Sequence, residues 1–158
     1  MFGFDIDLEL MGYHFFQLGV AFILSLPIAL NREMKDNGAG LRTFPLVTIA
    51  SCAFMLVGMD IYESAGEARI MYAIITGMGF IGGGAIFKNE QGSKGTATAA
   101  SLWNTGAIGI SVAYNRYEIA IILSVVGFLI LQFSEPFKKD DKLQETGNEE
   151  KNLKDRQS

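Results

Sequence analysis

Apolar residues in this chain come in long unbroken runs, not at alternating positions. Five such runs cover residues 13–30, 43–59, 70–87, 97–113 and 117–133, and nearly all charge falls at their ends or between them. Each would form a helix of about 25 Å at 1.5 Å per residue. That is the short end of what crosses a bilayer, where about 20 residues are usual. Tyr13, Tyr72, Tyr114 and Tyr117 flank the runs and extend them toward the interface, where such rings settle. Five runs in close succession leave too little polar surface for a soluble domain of this size. The pattern predicts an all-α integral membrane bundle of five transmembrane helices. It divides the chain into a short acidic N-terminus (1–12), the five-helix domain (13–134) and a charged, disordered tail (135–158). Pro27 lies inside the first run and predicts a kink, because proline removes one backbone donor and crowds the turn before it. Pro45 falls in the first turn of the second run, where proline is tolerated.

Charge then orients the bundle. The 13 lysines and arginines are distributed unevenly. Arg32, Lys35 and Arg42 lie in the first gap, and Lys88 and Lys94 in the third. Lys138, Lys139, Lys142, Lys151, Lys154 and Arg156 lie in the tail. The intervening gaps hold only Arg69 and Arg116. By the positive-inside rule the N-terminus faces out and the tail faces the cytoplasm. The acidic start, with Asp5, Asp7 and Glu9, lacks the positive n-region of a cleaved signal. A net charge of -4 provides no basic footprint for nucleic acid. The single cysteine, Cys52, excludes an internal disulfide and reads as a buried thiol.

The third and fourth runs are crowded with small residues. Gly77, Gly79, Gly82, Gly83 and Gly84 precede a polar loop, and Gly106 and Gly109 follow it. Glycine inside a helix in water costs about 1 kcal/mol against alanine. In lipid, small residues let helix backbones approach closely. These glycines are therefore expected to form a helix-packing or partner interface. Gly77-x-Gly79-x-x-Gly82 matches a dinucleotide fingerprint in letters only. The apolar run continues through the glycines, and residues 97–107 lack the acid that the fingerprint requires.

Several short motifs follow one another with a recognisable spacing. They are Asn31-Arg32-Glu33, Ala39-Gly40-Leu41-Arg42-Thr43, Gly77-Met78-Gly79-Phe80-Ile81-Gly82-Gly83-Gly84, Gly95-x-x-Thr98-Ala99-Ala100-Ser101-Leu102-Trp103 and Ala107-Ile108-Gly109. Over about residues 15–117 they resemble the membrane domain of the MgtC/SapB family. The resemblance implies a multi-pass protein of the bacterial inner membrane, with its N-terminus outside. It also implies a link to growth at low magnesium and to envelope stress, through partner membrane proteins or membrane energetics. No enzyme activity and no cofactor come with it. The chain departs from the family pattern at Pro27, Asn31, Phe44 and Ala97, and a charged tail stands where many relatives carry a folded domain.

The candidate residues each allow two readings. Arg32, Glu33 and Arg42 either form an ion-pair network that meets an anionic ligand or anchor helix ends at the headgroups. Asn104 and Thr105, near the middle of the fourth run, either join helices or mark a solute path with Gln17 and Ser25. Thr96 and Thr98 are expected to cap the fourth helix, and the helix start beside Lys94 is also a candidate anion site. Asp60, Glu63 and Glu67 make the outer face acidic without the spacing of a metal loop, His14 has no second histidine to form a metal pair, and no metal ligand set is assigned. The function expected is a non-enzymatic regulator in contact with membrane lipid and other inner-membrane proteins, with homo-oligomers allowed. The alternative is a small oligomeric transporter or channel for Mg2+, H+ or a small solute.

Overall fold

A computed structural model describes residues 7–35, 39–62, 64–89 and 92–133. The tail 135–158 and most of the acidic N-terminus lie outside the described residues. Five helices account for most of what is described: α1 (Leu8–Glu33), α2 (Thr43–Ile61), α3 (Ser64–Gly84), α4 (Thr96–Ala113) and α5 (Tyr117–Phe133). Between α3 and α4 lies a hairpin of β1 (Phe87–Asn89) and β2 (Gly92–Lys94), paired antiparallel with Phe87 opposite Lys94 and Lys88 opposite Ser93.

The helix ends follow from local chemistry. Asp7 caps α1 by accepting from the backbone N–H groups of Glu9 and Leu10 at 3.0 and 3.1 Å. This cap draws residues 8–12 into the helix, so they are not the separate acidic segment expected. Helix α1 then continues through Pro27. Helix α3 begins at Ser64, six residues before the expected start, and Glu67 in its first turn favours that end of the helix dipole. It stops at Gly84, where three successive glycines weaken the helix, and the chain passes into the hairpin. Strands of three residues are too short to announce themselves by periodicity, which is why the hairpin reads as a plain polar loop in sequence.

Two left-handed residues frame α4. Gly95, at φ 86°, is its N-cap, and its carbonyl accepts the first helical bond from Ala99 at 2.9 Å. A Cβ at Gly95 would strike the carbonyl oxygen of Ala85, so both the backbone angle and the space demand glycine. At the other end Asn115 adopts φ 56°. The Asn115 N–H bonds to Val112 O and the Arg116 N–H to Ser111 O, which is the Schellman closure with asparagine in the left-handed position.

Helix α4 is the axis of the bundle and packs against all four other helices. Helix α3 sits at the periphery against α2 and α4. Helices consecutive in the chain run in opposite directions, so α1 lies antiparallel to α4 and parallel to α5, as the cross-links at their ends show. Arg32 at the end of α1 reaches Thr98 at the start of α4, and Lys35 reaches Leu131 near the end of α5. At the opposite end Tyr13 meets Asn115, and Glu67 meets Tyr114. Arg32, Lys35, Arg42, Lys88 and Lys94 therefore share one end of the bundle, and Asp7, Asp60 and Glu67 share the other.

The partition of side chains is inverted relative to a water-soluble domain. Gln17, Ser25, Asn31, Thr48 and Thr105 are fully buried, beside Ile28, Phe44, Met55 and Ile108. Phe15 and Phe80 are 80% and 85% exposed, and Tyr72, Leu46 and Ile130 also face outward. Soluble monomers rarely expose contiguous apolar surface on this scale.

Candidate functional site

The glycines expected to form one interface divide into two groups. On α4, a Cβ at Gly109 would collide with the carbonyl oxygen of Thr48 and lie 3.0 Å from Cys52 N, so the α2 backbone crosses directly over it. Gly106 receives the side chain of Met78 in the same way. On α3, a Cβ at Gly82 would lie 3.5 Å from Ala99, and one at Gly79 would have only the Trp103 ring nitrogen, at 3.8 Å. A Cβ at Gly77, Gly83 or Gly84 would have nothing within 4 Å among the described residues. Two glycines of α4 are thus used inside the bundle, and three of α3 face outward.

The basic end is built around Arg32. The side chain is only 6% exposed, and its Nη2 donates to Thr98 Oγ1 at 2.7 Å. Beside it Asn31 Nδ2 donates to Gln132 Oε1 at 2.9 Å, and Lys35 Nζ donates to the carbonyl of Leu131 at 3.0 Å. Asn31 and Arg32 thereby tie α5 and α4 to the last turn of α1, and Lys35 just beyond it adds a second tie to α5. Glu33 serves a different purpose. Its carboxylate accepts from the Leu41 N–H at 2.9 Å and occupies the space that a Cβ on Gly40 would need, which closes the approach to α2. Arg42 stands exposed at the N-cap of α2 and makes no side-chain cap. The three residues of the charged motif thus lie at one end but are directed to different partners. The capping expectation is corrected. Gly95, not Thr96, is the N-cap of α4, and the Thr98 hydroxyl is turned to Arg32.

Asn104 joins helices. Its Nδ2 donates to the Leu123 carbonyl at 3.0 Å and fills the space that Gly127 leaves on α5. Thr105 Oγ1 bonds back to Leu102 O at 3.0 Å within its own helix. Gln17 and Ser25 do not join them. Ser25 bonds to Phe22 O, and Gln17 points to the end of α4. Ser124 on α5 adds a tie unforeseen in sequence, donating to Leu24 O at 2.6 Å.

At the acidic end the organising residue is Asn115, which sequence reading missed. Its Oδ1 accepts from Tyr13 OH at 2.7 Å, Tyr117 OH at 3.0 Å and Gln17 Nε2 at 3.1 Å. An asparagine between two apolar runs is the signal that could have found it, since asparagine tolerates the left-handed C′ position. Nearby, Tyr114 donates to Glu67 at 2.9 Å. Burial first, then that hydrogen bond and the carboxylate charge, hold the Tyr114 phenol above its ordinary pKa.

An α-helical bundle that turns phenylalanine and isoleucine outward and glutamine, asparagine and arginine inward is a membrane protein. Helices α1 and α2 are long and apolar enough to cross a bilayer, and α5 is shorter but apolar. The MgtC family model matches residues 18–140, and the chain belongs to that family. It is 37% identical over 113 residues to YhiD of Escherichia coli (strain K12), covering 66% of this chain and 53% of YhiD. It is 34% identical over 108 residues to Protein MgtC of Brucella abortus (strain 2308), covering 68% of this chain and 45% of that protein. It is 30% identical over 117 residues to Protein MgtC of Salmonella typhimurium (strain 14028s), covering 74% and 50%. The chain spans about half the length of the curated relatives it matches. No solved structure matches it significantly.

Proposed function

We propose that this chain is a non-enzymatic, five-span protein of the bacterial inner membrane, with its N-terminus outside. In this reading it regulates other membrane proteins, or the energetics of the membrane, when magnesium is low or the envelope is stressed. The observation that carries the regulatory role is the outward α3 surface. Gly83 and Gly84, with Gly77 at the α2–α3 cleft, offer a backbone that a partner helix can approach closely, and no described residue would meet a Cβ there. Family membership supports the link to magnesium. The charge asymmetry between the two ends of the bundle supports the orientation.

The test compares crosslinking in native membranes for wild type and Gly83→Leu. The expected result is a wild-type complex that the variant loses while its helical content and expression are retained. A complex unchanged by Gly83→Leu, Gly77→Leu and Gly84→Leu alike would reject α3 as the contact.

A transport reading has its own support. The YhiD relative carries magnesium transport in its name. In this chain the buried oxygens Gln17 Oε1 and Asn31 Oδ1 have no hydrogen-bond partner among the described residues. They lie fourteen residues apart on α1, about 21 Å along its axis, where a passing solute or water could be received. Flux of magnesium or protons into proteoliposomes that Asn104→Leu or Asn31→Leu abolishes would favour this reading over regulation.

A further inference from the structure

We propose that the cleft between α2 and α3 binds one acyl chain of an anionic glycerophospholipid, with the phosphate held at the basic end of the bundle. The proposal rests on the bundle spanning the bilayer and not on what the bundle regulates. The cleft has a volume of about 480 Å³, inside the roughly 300–1,000 Å³ typical of small-ligand sites. Val47, Phe54 and Val57 of α2 and Ile70, Ala73 and Ile81 of α3 line it along its length. Phe54, Val57 and Ile81 are themselves half exposed or more, so the cleft opens on the outer face of the bundle. Among the described residues that line it, Ser51 has the only polar side chain, and its hydroxyl is bonded to Val47 O at 2.8 Å. The walls therefore offer a ligand no free hydroxyl donor and much apolar surface, which suits a hydrocarbon chain.

Charge sets the direction of that chain. Arg42 immediately precedes α2, and Lys88 and Lys94 lie in the hairpin that follows α3; all three are exposed. At the opposite ends of these two helices lie Asp60, Glu67 and Arg69, with a net negative charge, and Glu67 accepts from Tyr114 of α4. A phosphate is therefore attracted to the first end and repelled from the second. Phe87 is 70% exposed and pairs across the hairpin with Lys94.

The experiment reconstitutes the full chain in nanodiscs of phosphatidylcholine, with a tracer of phosphatidylglycerol carrying a photoactivatable diazirine in its acyl chain. Labelled peptides are then mapped by mass spectrometry. The expected result is label concentrated on α2 and α3. Ala73→Trp and Ala50→Phe, both at exposed positions, should each remove that label while labelling elsewhere persists and helical content is unchanged. Combined Arg42→Gln, Lys88→Gln and Lys94→Gln should reduce to about one the preference for phosphatidylglycerol over a phosphatidylcholine tracer, leaving the label in place. Label spread evenly around the bundle, or label indifferent to both cleft-filling variants, would overturn the proposal. So would disulfide crosslinking between two Ala73→Cys copies, because a second copy would then cover the cleft. A chain that stayed out of the discs would refute the spanning reading, and the lipid site with it.

Discussion

Helices α3 and α4 are both rich in small residues, yet they stand in different places. On α4 a Cβ at Gly109 would meet the backbone of α2, and one at Gly106 would meet Met78. On α3 a Cβ at Gly77, Gly83 or Gly84 would meet no described residue. Nine residues of α4 are buried but only Met78 and Gly82 of α3, because α4 is surrounded by four helices and α3 has two neighbours on one side. Glycine content therefore says that a close approach is permitted. It does not say whether the chain itself or another molecule makes that approach.

The sharpest way to break this comparison is to place leucine at both kinds of position. Gly109→Leu should cost about 3 kcal/mol, the upper end for overpacking, since the obstacle is backbone that cannot turn aside. Thermal unfolding in detergent would register it as loss of folded protein. Gly77→Leu and Gly84→Leu should unfold like wild type and lose only association with a partner. If Gly109→Leu were tolerated as well as Gly77→Leu, the distinction between the helices would fail.

Arg32 extends the comparison to the helix that ties the bundle together. Arg32→Met should destabilise by about 1–3 kcal/mol, because Thr98 and the neighbouring buried groups lose a charge-assisted partner. Arg42→Met, exposed and without a cap bond, should fall within about 0.5 kcal/mol of wild type. Equal effects at the two arginines would mean that burial at the basic end carries no weight.

At the far end of α4, Asn115→Ala should cost more than Asn115→Gly. Both variants lose the acceptor shared by Tyr13, Gln17 and Tyr117, but only alanine also opposes the left-handed backbone, by about 1 kcal/mol. The comparison of the two unfolding temperatures isolates that term. Among the buried polar ties the smallest effect should be that of Asn104→Leu, near 0.6 kcal/mol, the mean value for a hydrogen bond between helices in a bilayer. A much larger loss of stability would show that the space beside Gly127 cannot accept an apolar side chain.

Much of the architecture is legible before any fold is known. The runs at 43–59, 97–113 and 117–133 match α2, α4 and α5 to within two residues at either end, since an uninterrupted apolar run of that length is favoured as a helix. The ends of α1 and α3 are less legible. They depend on the Asp7 cap and on an early start at Ser64, both of which lie in polar sequence. The grouping of Arg32, Glu33 and Arg42 at one end follows from alternation of helix direction, and that alternation follows from short connections.

What the sequence determined by itself is a set of apolar helices, their order, and the separation of positive from negative ends. These depend on composition and chain continuity. Which residue each polar group meets was decided only in three dimensions. Thr98 reads as a cap and instead holds a buried arginine. Asn104 reads either as a tie between helices or as a polar spot with Gln17, and the fold gives it a carbonyl of α5. Gly77 and Gly109 are the same residue in similar surroundings, and one is packed while the other is open. A side chain's contacts depend on which helix lies across from it, and α4 occupies the centre because all four of its neighbours can approach its small residues.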